Sequence, residues 1–251
     1  MTPGTGMLVR KAWLESRGRF IAAAIVLAIL GVSTVLRAPA TIAGWESVHR
    51  GEQMSYPLYI WLSLSHGFLQ FLWIVAVVIL GLGGLVREEA LGSSGFSLAL
   101  PVSRGAHVLA RAGVGAAEAI VLGFIPGLIV VSLSPMIGRS YPLSQALMFA
   151  AMLVLAGLVF YALGFLLSHL LRGEYGAPAV AMAAIAAFYV LTKLPRLEIL
   201  NVFDAMDGKQ VLVGHTFYLG AELPVTVTFA SLAIAVGFVG LSVARVKSRD
   251  F

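Results

Sequence analysis

At 251 residues, 59% of them hydrophobic and only 12% charged, the chain has too few polar side chains to cover a water-soluble fold, for which roughly 25% charged residues is usual. Its mean hydropathy of +0.94 points to lipid as the solvent, and spans of about 20 residues each would use nearly the whole length, leaving no room for a separate soluble catalytic domain. With no cysteine there are no disulfides, thiolate nucleophiles or Cys-based metal sites, and the net charge of +5 collects at the ends of apolar segments, which fits anionic lipid headgroups and membrane orientation and not nucleic acid.

In chain order, residues 7–19 place Val9, Trp13 and Phe20 near one helical face and Arg10, Lys11 and Arg17 largely elsewhere, which predicts a short interfacial helix lying on the membrane. The apolar run 20–36 follows four basic residues and lacks a small-x-small cleavage site, so it reads as a retained first span and not a signal peptide. Further runs at 64–86, 114–133, 143–167, 177–194 and 223–243 predict an all-α polytopic membrane protein of about six transmembrane helices in a single domain, residues 1–251.

Lys and Arg set the orientation of such a chain. With both termini inside, Arg10, Lys11, Arg17, Arg19, Arg87, Arg104, Arg111, Arg172, Arg245, Lys247 and Arg249 face the cytoplasm, against six basic residues on the other face. Two longer segments then lie outside, Ala38 to Tyr59 and Pro195 to Glu222. The second holds Asp204, Asp207, Gly208 and Lys209, a pattern for a small helix and turn.

The cytoplasmic loop 87–111 mixes charge with apolar residues. Glu88, Glu89 and Leu91, followed by Phe96, Leu98, Ala99 and Leu100, suit a short amphipathic helix that Pro101 ends, with Ser103 placed to cap the next helix. The run Leu98-Ala99-Leu100-Pro101-Val102-Ser103-Arg104, preceded by Glu88 or Glu89 and Gly95, resembles the loop after the second span of type 2 ABC exporter permeases. Gly92-Ser93-Ser94-Gly95 and Arg111 depart from the Gly-Thr and Lys often found in that family.

The resemblance extends to the layout of the whole chain. It implies a coupling helix between spans two and three that docks on a separate ATPase subunit, with Glu88, Glu89, Gly95, Leu100, Pro101, Ser103 and Arg104 as the contact candidates. It further implies two ATPase copies that hold ATP and Mg, a second permease copy or relative, and the plasma (inner) membrane of a prokaryote. The chain itself has no GxxxxGK[ST] motif, so no ATP hydrolysis and no cofactor are expected on it.

Glu118 stands inside the third apolar run, where a carboxylate is expensive; it either lines a transport path, as an ion-coupled secondary transporter would require, or reaches the headgroups from about one turn inside. The five histidines show no metal-ligand spacing, and Ser168-His169 at the end of a span is weak support for an intramembrane enzyme. Gly157, Gly164, Gly237 and Gly240 are expected to permit close helix packing.

Overall fold

The computed structural model describes residues 3–49, 53–82, 103–171, 176–194, 201–220 and 224–248. These form α1 (Pro3–Val48), α2 (Tyr56–Ile60) running into a π turn (Trp61–Ser65), α3 (Phe68–Gly81), α4 (Arg104–Leu133), α5 (Leu143–Leu170), α6 (Gly176–Leu191), the short α7 (Val202–Met206) and α8 (Val225–Lys247). Among the described residues, five segments are long and apolar enough to cross a membrane: 6–48, 56–81, 104–137, 143–170 and 225–247. Against the expectation of about six spans, the remaining apolar helix, α6, has only 16 residues.

Two expectations are corrected in α1. Residues 7–19 are not a separate interfacial helix, and 38–48 are not loop: both belong to one 46-residue helix about 69 Å long. The stretch before Phe20 contains no proline, and Leu8, Ala12 and Ser16, spaced by four, are buried, while Val9 and Trp13 on the other side are exposed. Protein packing on that stripe carries the helix straight through the expected turn. Beyond Arg19, the exposed residues Ile21, Ile25, Ile29 and Leu36 leave an outward apolar face suited to lipid.

Helix α5 is apolar all round, and it is buried on several sides because α3, α4, α6, α7 and α8 all pack on it. Small residues bring the backbones together. A Cβ on Gly81 of α3 would lie 2.8 Å from the Phe165 nitrogen of α5, and one on Gly164 would lie 3.1 Å from Val78 Cα. Gly157 faces the fully buried Trp73, whose indole Nε1 donates to the Ala119 carbonyl at 3.1 Å. Gly237 and Gly240 depart from expectation, because a Cβ there would meet nothing within 4 Å.

The contacts define two ends of the bundle. Ser16 meets Glu118, while Gly31 faces Ile129, so α1 and α4 run in the same direction. Gly105, at the start of α4, lies against Lys247 near the end of α8. Residues Arg10, Lys11, Arg17, Arg19, Arg104, Arg111, Arg245 and Lys247 therefore gather at one end, which we term the basic end.

The opposite end carries a small folded cap, residues 201–220. Asn201 caps α7 by accepting the Phe203 and Asp204 N–H groups at 3.2 and 3.3 Å, and Leu212 bridges to Leu219. Gln145 of α5 ties the cap down, accepting the Leu219 N–H at 2.8 Å. Gly208 has φ +73, a left-handed turn in which a side chain would also strike Leu219.

Candidate functional site

At the basic end, the last turn of α3 leaves carbonyl groups short of helical N–H partners, Ile79 O taking only the cap N–H of Leu82 at 3.2 Å. Side chains of three other helices take them up. Arg19 of α1 donates to Ile79 O at 2.9 Å and Leu82 O at 2.6 Å; Arg111 of α4 donates to Leu82 O at 2.6 Å; Ser168 of α5 donates to Gly81 O at 3.1 Å. Cations at a helix C-terminus also oppose its negative dipole end. Arg111 is further paired with Glu15 at 2.6 Å, and Glu15 with Lys11 at 3.6 Å.

Twenty residues later the chain re-enters at Ser103, whose hydroxyl accepts the Ala106 N–H at 3.3 Å and caps α4 as expected; Arg104 is the first residue of that helix. The loop candidates Glu88, Glu89, Gly95, Leu100 and Pro101 lie outside the described residues. Residues 104–111, expected as loop, are already helix, because the Ser103 cap starts α4 nearly three turns ahead of the apolar run at 114. The segment bearing the Leu-Ala-Leu-Pro-Val-Ser-Arg run thus connects two helix ends that are both pinned to the bundle.

Glu118 is buried between α1 and α4, where one carboxylate oxygen accepts the Ser16 hydroxyl and the other has no hydrogen-bond partner among the described residues. Glu118 meets α1 one turn on the basic side of Phe20, and it stands halfway along α4, where the carbonyl of the next residue, Ala119, accepts the indole N–H of Trp73 from mid-α3. It lines none of the three cavities described for the bundle.

Ser168 and His169 are engaged with backbone. The serine hydroxyl donates to Gly81 O and Phe165 O, while His169 Nδ1 donates to Phe165 O at 2.8 Å. The imidazole nitrogen nearest the serine therefore carries a proton and cannot accept one from it. Among the described residues, no three His, Asp or Glu side chains gather to hold a metal ion.

At the other end the apolar run expected at 64–86 is broken. The π turn of Trp61–Ser65 is followed by Gly67 at φ +103, and α3 begins afresh at Phe68. The break exposes His66, whose Nδ1 lies 2.6 Å from Asp207 Oδ2; the Trp61 indole stacks on His66 and donates to the Asp207 carbonyl at 3.0 Å. Sequence reasoning placed Asp207 in an outer turn but did not join it to His66. The available signal was His66-Gly67, a polar residue and a helix breaker inside an apolar run.

Burial raises the Asp207 carboxyl above the ordinary carboxylate range, opposed by the Lys209 N–H and by His66. A carboxyl raised on folding binds its proton more readily in the folded chain. Its stabilisation is therefore full below the ordinary carboxylate range and is lost as pH rises through the raised value. Asp207→Asn is expected to flatten this decline, measured as the melting temperature across the acid-to-neutral range; an unchanged slope would assign the decline to other groups.

Compared with known proteins, the chain matches no protein-family model, and no curated protein matches it.

Proposed function

We propose that the chain is the membrane-spanning permease subunit of an ABC exporter, driven by ATP hydrolysis on a separate ATPase subunit. The observation that carries this reading is the Leu98-Ala99-Leu100-Pro101-Val102-Ser103-Arg104 run in the connection between two helix ends held by the Arg19, Arg111 and Ser168 bonds and by the Ser103 cap. A force delivered to a short segment tethered in this way passes to α3 and α4 as rigid bodies.

In this reading the basic end faces the cytoplasm of a prokaryotic cell, both termini lie there, and α6 serves as a sixth, shorter span that the bilayer accommodates by thinning. Two ATPase subunits holding ATP and Mg dock at that end. A second permease copy or relative completes the pathway, since six spans are few to enclose one alone. The Ser16 bond to Glu118, and its place outside the three cavities described, weigh against the ion-coupled alternative.

The test is co-purification of the tagged chain in mild detergent, comparing wild type with a Glu88→Ala, Glu89→Ala, Arg104→Glu variant that still inserts. An ATP-hydrolysing subunit is expected with wild type and is expected to be lost from the variant. If no ATPase associates with either, the ABC reading falls.

A further inference from the structure

Beside the break at His66–Gly67 lies a cavity of about 420 Å³, within the usual range for small-molecule sites, bounded by α3, α6 and the α7 turn. Its two halves differ in chemistry. One wall is apolar, formed by Phe71, Ile74, Met182, Ile185 and Val190; the rim holds His66, Gln70, Asp204, Asp207 and Lys193.

Both rim carboxylates have partners of their own. Asp207, 2% exposed, is held by His66 at 2.6 Å, and Asp204 lies 3.9 Å from Lys209 Nζ. Lys193 is different: its ammonium is 4.7 Å from the centre of the Tyr189 ring, and it forms no ion pair among the described residues. The N-terminal end of α3, at Gly67, Gln70 and Phe71, also lines the cavity and brings the positive end of the helix dipole to it. The Lys193 ammonium therefore has no carboxylate paired with it among the described residues, beside a wall suited to hydrocarbon.

We infer that this cavity binds a single-chain amphiphile with an anionic headgroup, the chain lying along Phe71, Met182 and Ile185 and the headgroup between Lys193 and the start of α3. The inference goes beyond the proposed transport role and does not depend on it, since it concerns a cavity within this chain at the end opposite the coupling segment.

Native mass spectrometry of the full chain in mild detergent tests it with three probes: oleate, lysophosphatidylglycerol and the zwitterionic lysophosphatidylcholine. Oleate, lysophosphatidylglycerol or both are expected to bind at least tenfold tighter than lysophosphatidylcholine. Preference between the two anionic probes tells a free carboxylate from a lipid phosphate. Lys193→Glu is expected to abolish that advantage, and Ala186→Trp, at an exposed position that lines the cavity, is expected to block all three. Neither change disturbs a buried side chain, so both variants should fold. Equal binding of all three probes, no binding of the anionic pair, or binding that survives either substitution would overturn the inference.

Discussion

Gly81→Val is expected to be the most damaging single substitution in the bundle, costing about 3 kcal/mol or more because overpacking here meets backbone. A Cβ at this position would lie 2.8 Å from the Phe165 nitrogen and 3.1 Å from both the Gly164 carbonyl carbon and the Tyr161 oxygen. None of these is the end of a flexible side chain that could turn aside, so α3 and α5 must separate. Separation would also pull Gly81 O from the Ser168 hydroxyl and unseat Trp73 from Gly157. Gly237→Ala is the matched control, with open space around it and a gain of roughly 0.5–1 kcal/mol expected from helix propensity. Thermal unfolding in mild detergent reads both; a Gly81→Val protein that melts with wild type would mean that the α3–α5 crossing does not hold the fold.

The Arg19→Ala, Arg111→Ala pair is expected to follow, at about 3 kcal/mol. Hydrogen bonds to charged groups contribute roughly 1.5–3 kcal/mol each, and partial exposure of these carbonyls lowers the total. The pair removes three bonds to the end of α3 and the Arg111 link to Glu15, leaving Ile79 O and Leu82 O without side-chain donors. Because the end of α3 leads into the segment that bears the proposed coupling motif, the double variant is expected, on that reading, to lose co-purifying ATPase as well as melting temperature. Arg19→Lys should restore charge but not the fork that spans two carbonyls, and so recover only part of the loss. Full ATPase retention by the double variant would show that docking does not need this clamp.

Much of the fold was legible because its signals are local. An apolar run declares a span by length alone, Ser103 before a helical run declares a cap, and Asp204, Asp207, Gly208 and Lys209 declare a short helix and turn. What the runs did not declare is where helices continue through polar sequence. The stretch 7–19 looks interfacial by its own moment, yet it is one helix with the span because Leu8, Ala12 and Ser16 have protein to pack on. The break at His66–Gly67 was missed for the opposite reason: hydropathy averages over it, while the partners that hold it, Asp207 and its turn, are some 140 residues away.

The sequence by itself determined the solvent, the all-helical class, the absence of cysteine and of a Walker-type phosphate loop, and the motif on which the transport reading rests, since each depends on composition or on residues close in the chain. Only the tertiary structure decided that Glu118 meets Ser16 of α1, that Arg19 and Arg111 converge on Leu82, and that His66 and Lys193 share the rim of one cavity. Those facts depend on register between helices, and register is set by which side chains and glycines let two backbones approach, a property of pairs of elements that no single stretch of sequence contains.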